Sequence, residues 1–337
     1  MEIIQAFEEF RPKIEEALRA VVQGSVSDSY PVLREMLSYH MGWEGEDAGP
    51  QAQGKRLRPM LLLLSVVAAD GHWQQALPAA AGVELLHNFS LIHDDVEDNG
   101  NLRHGRPTVW VKWGVPQAIN AGDLMFTISN QAILMLQRSY PAEVVLQAQG
   151  LFQQTCVQLT QGQFLDMWYE DLDDLPLDAY WSMVSGKTAA LLACCTELGA
   201  LLGGADSVIT AKYHQFGHYL GLAFQAQDDL LGIWGDVEKT GKSTSSDLFT
   251  KKKTLPVIFG LQQHGKFAER WLSGEINLDE VSEMADLLEK EGALEYTKQM
   301  AYDLTTKARS ALDEVLGGHP AGTALQQLTD QLIGRQF

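Results

Sequence analysis

Val83-Glu84-Leu85-Leu86-His87-Asn88-Phe89-Ser90-Leu91-Ile92-His93-Asp94-Asp95-Val96-Glu97-Asp98 runs without a break from an apolar stretch into a cluster of acids. Its apolar residues recur at three- and four-residue spacing, the period of a helix with one buried face. On such a helix Asp94 and Asp98 project from the same side, so both carboxylates can reach one small group of cations. Hard oxygen ligands of this kind suit magnesium, which keeps several waters and completes its shell with phosphate oxygens. The plain alternative is a solvated helix end, but acids that directly continue an apolar segment are poorly placed for that. A second pair, Asp228-Asp229, closes another apolar run, Tyr219-Leu220-Gly221-Leu222-Ala223-Phe224-Gln225-Ala226-Gln227. Two such pairs suggest facing carboxylates that clamp a metal-bound polyphosphate. Asp171-Leu172-Asp173-Asp174-Leu175-Pro176 holds a helix breaker and lacks an apolar lead-in, so it reads as a loop.

Working outward, the same helical period fills Ile3 to Gln23, Arg58 to Ala69, Gln75 to Leu91, Pro116 to Gln137, Pro141 to Tyr169 and Ser207 to Trp234. Two-residue alternation is scarce. The breaks at His40 to Gly54, Asn99 to Thr108, Asp171 to Pro176 and Gly235 to Thr254 read as loops between helices. No repeat of fixed period or low-complexity tract appears, so residues 1–337 are expected to form one all-α domain, a helical bundle. A formal charge of −19 argues against nucleic acid or an anionic membrane face as a partner. An anionic substrate must therefore be drawn in by local cations. Cys156, Cys194 and Cys195 form neither a CxxC spacing nor a disulfide framework and read as buried thiols in a reducing compartment. The start of the chain lacks the basic and apolar regions of a signal peptide, and no apolar run reaches the roughly 20 residues of a membrane span, so a cytoplasmic protein is expected.

Cations stand at separate points: Lys55-Arg56-Leu57-Arg58, Arg103-His104-Gly105-Arg106, Gly186-Lys187-Thr188, Gly241-Lys242 and Lys251-Lys252-Lys253. In so acidic a chain these are candidate phosphate clamps, although each alone also reads as a solvated surface cluster. Their alternation with the acidic pairs gives an order of blocks: Gly54 to Pro59, Leu91 to Asp98 with Arg103 to Thr108, Gly162 to Asp166, Gly186 to Ala189, Phe224 to Asp229, and Asp247 to Pro256. In that order the chain resembles the trans-isoprenyl diphosphate synthases, or polyprenyl synthetases, from about Gly54 to Pro256.

The resemblance implies that Asp94, Asp98 and Asp228 coordinate magnesium ions, three by the family pattern, that hold an allylic diphosphate. Arg103, Lys187 and Lys242 would touch its phosphates, with Lys252 near the same site. Gln163, Asp166, Thr188 and Gln225 would line the cavity around the reacting carbons, and Lys55, Arg58 and His87 would bind the diphosphate of isopentenyl diphosphate. The implied reaction ionises the allylic bond, the double bond of isopentenyl diphosphate attacks the cation, and the released diphosphate removes a proton. It needs no protein nucleophile, and a homodimer is the family expectation.

Two positions depart from the pattern. His104 stands where the family usually has a second arginine for isopentenyl diphosphate, and imidazole is mostly neutral at pH 7 and offers no bidentate fork. Asp228-Asp229-Leu230-Leu231-Gly232 carries glycine at the usual third aspartate, a position that acts mainly through water in the family. Product length in the family is limited by bulk on the helix below the first acidic motif. Phe89, five residues before Asp94 and so about 7.5 Å of helix below it, with Ser90 beside it, implies a short product. Geranylgeranyl diphosphate is expected and farnesyl diphosphate is the near alternative. Rival readings are a class I terpene cyclase and a non-catalytic subunit of another synthase. Lys55, Arg58 and His87 speak against the first, and the retained Asp94, Asp98 and Asp228 against the second.

Overall fold

The computed structural model describes residues 2–170, 172–235, 246–316 and 322–333. Among these, helices carry nearly all the regular structure, and the strands are two antiparallel pieces, Leu102–Arg103 and Arg106–Pro107. The helix expected over Ser207 to Trp234 has those bounds. The one expected over Gln75 to Leu91 starts at Leu77 and continues to Glu97, so the first acidic motif rides its last turn and Asp98 is its C-cap. Three expected loops hold short elements: Pro50–Gln53 and Ser246–Phe249 are each one helical turn, and the strand pair sits inside Asn99 to Thr108. Four-residue helices and two-residue strands are too short to show a period.

The described residues group into two compact units. The first takes in those of 1–154, 194–210 and 318–325. Helix Leu57–Ala68 is buried along most of its length, with Met60 to Leu64 wholly enclosed. Helix Leu77–Glu97 packs along helix Val115–Leu134, and Gly82 makes the approach possible, because a Cβ there would stand 2.8 Å from Ile133 Cδ1. The second unit takes in the described residues of 155–193, 211–317 and 326–337. There the apolar helix Leu255–Gln262 lies against helix Ala293–Leu316, and Leu248, Val257, Phe267, Trp271 and Leu288 form a core at most 2% exposed. All three cysteines are buried thiols, with burial pushing Cys156 up to about 12. No helix among the described residues is long and apolar enough to cross a membrane.

Candidate active site

In the first unit the paired acids of the helix end at residue 97 divide their work. Asp94 is half-buried and Asp98 exposed, while Asp95 turns inward, 5% exposed. Arg103 donates to both oxygens of Asp95 through Nε, at 3.0 Å each, and through Nη2 to Oδ1 at 2.7 Å. Burial raises the Asp95 pKa against the pull of Arg103. Arg103, expected at a phosphate, is therefore aimed by a carboxylate that holds one edge of its guanidinium. The turn after it is tight: His104 and Gly105 both have positive φ, 52° and 77°, as a two-residue hairpin with right-handed twist demands. Arg106 is buried and spends its donors on the carbonyls of Tyr39, Glu44 and Glu46.

The basic cluster before helix Leu57–Ala68 divides in the same way. Arg56, left-handed at φ 50° and 3% exposed, donates to Glu15 at 2.7 Å, Glu84 at 2.9 Å and the Met41 carbonyl at 3.2 Å. This residue is a structural clamp on the loop. Lys55 is exposed on one side of it, and Arg58 is half-buried on the other with a buried Nε that has no hydrogen-bond partner. A guanidinium N–H left unpaired in the interior is costly unless an acceptor arrives, and an anion supplies one. His87 feels Arg58, Arg103, His40 and Arg56, and burial followed by these charges pushes its pKa well below 6.5. The same causes take His40 down to about 3 and lower His104. Arg58, His87, Arg103 and His104 thus share one neighbourhood dominated by positive charge, in which the imidazoles stay neutral. Farther down the helix Phe89 is half-buried, its ring 5.0 Å from Phe126 and 4.9 Å from His93. Ser90 Oγ donates to the His87 carbonyl at 2.8 Å.

The second unit repeats the division of acids. Asp228 is half-buried, whereas Asp229 is 3% exposed and receives Tyr180 Oη at 2.6 Å, the Leu255 N–H at 2.8 Å and Gln225 Nε2 at 2.8 Å. Burial pushes Asp229 up to about 7 despite these donors. Gln225 turns its NH2 to Asp229 and leaves Oε1 to accept from Thr188 Oγ1 at 2.9 Å. Thr188 and Lys187 lie in a π-helical turn, Ser185–Ala189, that interrupts the helical run on either side. Lys187 Nζ is paired with Asp166, and Gly162 passes so close that a Cβ on it would stand 2.0 Å from the Lys187 nitrogen. Gln163 is half-buried on the same helix. Of the three consecutive lysines, Lys251 donates to the Trp271 and Gly274 carbonyls and Lys253 to the Leu172 carbonyl, while the Lys252 side chain is exposed. Lys242 lies outside the described residues.

Of the expected site residues, printed contacts link Lys187 to Asp166 and Thr188 to Gln225 in the second unit, while His87 feels the charges of Arg58 and Arg103 in the first. Sequence reasoning missed Asp95, Asp229, Tyr180, Arg56 and His40. The helical period carries a signal for two of them. Asp95 falls three residues after buried Ile92 and Asp229 three after buried Ala226, so each second acid points to the core side. Among the described residues no three His, Cys, Asp or Glu side chains form a ready-made metal cage. Magnesium takes one or two carboxylates and fills its shell with water and phosphate. The outward oxygen donors Asp94, Asp98 and Asp228 are of the right chemistry to hold it.

The chain is 37% identical over 317 residues to a (2E,6E)-farnesyl diphosphate synthase of Mycobacterium tuberculosis, covering 91% of this chain and 87% of that one. It is 36% identical over 316 residues to a geranylgeranyl diphosphate synthase of Methanosarcina mazei, covering 94% and 95%. Among solved structures, a polyprenyl synthetase from Streptomyces coelicolor A3(2) superposes with a TM-score of 0.85 at 34% identity, covering 98% of this chain and 100% of that one. A geranylgeranyl pyrophosphate synthetase from Pyrococcus horikoshii superposes with a TM-score of 0.87 at 30% identity, covering 98% and 99%. Residues 47–289 match the polyprenyl synthetase model, and on these grounds the chain belongs to the polyprenyl synthetase family.

Proposed function

We propose that this enzyme condenses isopentenyl diphosphate with an allylic diphosphate to give geranylgeranyl diphosphate, and that it acts as a homodimer. The observation that carries the synthase reading over a cyclase is the Arg58 neighbourhood. A cyclase needs no second diphosphate site, whereas the unpaired Arg58 Nε among neutral imidazoles is built to receive an anion. In this reading Lys55, Arg58, His87 and His104 bind the diphosphate of isopentenyl diphosphate. Asp94, Asp98 and Asp228 hold magnesium, with a count of three ions. Bound magnesium supplies electrostatic stabilisation to the diphosphate as its bond to the allylic carbon breaks. Arg103, oriented by Asp95, and Lys187, oriented by Asp166, meet the allylic phosphates together with Lys242 and Lys252. Their charges are set before substrate arrives, so little reorganisation is needed as negative charge develops. Gln163, Asp166, Thr188 and Gln225 line the space around the reacting carbons, and the Asp229 anchor keeps the Thr188 and Gln225 oxygens from turning away.

The deciding assay incubates purified protein with magnesium, isopentenyl diphosphate and each of dimethylallyl, geranyl and farnesyl diphosphate. An elongated diphosphate supports the reading. A hydrocarbon or alcohol would instead mark a cyclase, and no product a non-catalytic subunit.

Product length rests on Phe89. Phe89→Ala removes a ring that packs on Phe126 and is expected to lengthen the product by at least one isoprene unit. Each methylene-sized group buried in the freed space gains about 0.8 kcal/mol, so elongation continues to the next bulky side chains, Leu86 and Val83, both fully buried. An unchanged chain-length distribution, read by chromatography of dephosphorylated products, would show that Phe89 is only core packing.

His104→Arg is expected to lower KM for isopentenyl diphosphate by roughly threefold to tenfold and to leave that of the allylic substrate unchanged, since a charge-assisted contact replaces one from a neutral imidazole. Burial and the neighbouring arginines hold the His104 pKa below 6.5, so its imidazole stays uncharged at pH 7. Equal KM values for the two proteins would place position 104 away from that substrate.

A further inference from the structure

His214 and His218 are four residues apart on helix Ser207–Trp234, so their imidazoles lie on one face, one turn apart. The rings are parallel within 5°, with centroids 6.4 Å apart, and both side chains are half-buried. Both residues belong to the second unit. The proposed condensation has no use for them: His218 is ten residues before Asp228, about 15 Å of helix away from it.

The surroundings suit a cation bound through nitrogen. Burial, and then the adjacent His214, lower the His218 pKa from 6.5, which leaves at pH 7 a neutral imidazole, the form that ligates metals. The charges nearby are engaged: Lys212 pairs with Glu314 at 3.3 Å, and Lys307 lies 5.8 Å over the Tyr219 ring, which is itself 6.1 Å from His218. The other described histidines lack this arrangement. His40, His87 and His104 lie among Arg56, Arg58 and Arg103, whose charge opposes a metal ion. His93 faces the Asp123 carboxylate at 3.8 Å, and His72 and His264 are exposed with no second histidine within four residues.

We propose that His214 and His218 form a chelating site for a divalent ion of the zinc, copper and nickel class, with water completing its shell. Two histidines four apart on one helical face is the spacing by which helices grip zinc. Imidazole suits those ions, whereas magnesium prefers carboxylate, phosphate and water, so this site and the magnesium carboxylates select different metals. Two ligands on one turn make the second bond intramolecular, and such linkage raises affinity by about 10^2-fold or more over one imidazole. An ion bound there ties one turn to the next and so stabilises the helix that carries Gln225 and Asp228 farther along.

Full-length protein in excess Mg2+, with no diphosphate present, is titrated with Cu2+ and read by electron paramagnetic resonance. The expected result is one tight Cu2+ per chain, with hyperfine structure from two nitrogen ligands. His214→Gln and His218→Gln are each expected to weaken that binding by about 100-fold. Zn2+ should raise the melting temperature of the parent and leave that of both variants unchanged, because an ion that no longer binds the folded chain cannot stabilise it. Metal-free melting temperatures within about 2 °C of the parent show that the variants are folded. His214→Ala and His218→Ala, with the better helix former, serve the same test should a glutamine variant prove unstable. Tight Cu2+ binding that survives in both variants, or that is lost in His93→Ala instead, overturns the inference. So does a parent that binds Cu2+ no more tightly than its variants, a result that would make the pair ring packing alone.

Discussion

Asp228→Ala, and separately Asp94→Ala, should lower kcat by about 10^3-fold or more while leaving the melting temperature within about 2 °C of the parent. The size follows from what electrostatic stabilisation of a leaving group is worth: removing one preorganised donor typically costs about 10^2 to 10^3 in rate, and loss of a metal ligand removes more than one such contact. The small effect on stability follows from position. Both aspartates are half-buried near helix ends, and alanine is the better helix former by a few tenths of a kcal/mol. The contrast with the acid next door is the internal check, because Asp95 and Asp229 are the members of each pair that hold structure. Circular dichroism and single-turnover kinetics under saturating magnesium decide the matter. Activity above about one part in a hundred in either variant would remove that residue from the metal site, as would a fall in stability matching the fall in rate.

Gly162→Ala is expected to be the most damaging single methyl group in the described part of the chain. Its Cβ would stand 2.0 Å from the Lys187 nitrogen and 2.4 Å from the Gly186 carbonyl carbon. Both are backbone atoms, so no side chain can swing aside, and two helices must part instead. Gly186 meets the same contact from the other side, with a Cβ position 2.7 Å from the Gln158 carbonyl oxygen. Overpacking of this kind costs about 3 kcal/mol or more, and in a chain of this size each kcal/mol lowers the melting temperature by roughly 2–4 °C. A drop of about 6–12 °C is expected, with kcat down more than about tenfold even where the protein remains folded, because Lys187 and Thr188 are carried by the displaced turn. A melting temperature within 1 °C of the parent would show that the helices separate freely and that the close approach matters little.

Much of this was legible in the sequence because helical periodicity is a local signal. The two acidic motifs announced themselves as carboxylates closing apolar helical runs, and the structure places Asp94 and Asp228 in just such helix ends. The longer range of the remaining features hid them. The role of Arg56 depends on Glu15 and Glu84, which are 41 and 28 residues away, and nothing in Lys55-Arg56-Leu57-Arg58 distinguishes the arginine that is clamped from the one left to receive an anion. Tyr180 meets Asp229 across 49 residues. Gly232 read as a simple loss of a carboxylate, and nothing local announces that the Asp247 side chain, 15 residues on, comes within 2.1 Å of where a Cβ at 232 would stand.

The π-helical turn at Ser185–Ala189 has a consequence for how this chain relates to its kin. Such a turn holds one residue more than a regular helix spends on the same rise, and each residue rotates the helix by about 100°. A relative lacking that residue would keep an unbroken helix, yet its side chains could match this chain either before the turn or after it, never on both sides. Insertions and deletions are usually sought in loops; here the place where a gap would have the sharpest functional effect lies in the middle of a helix, at the lysine and threonine that the turn presents.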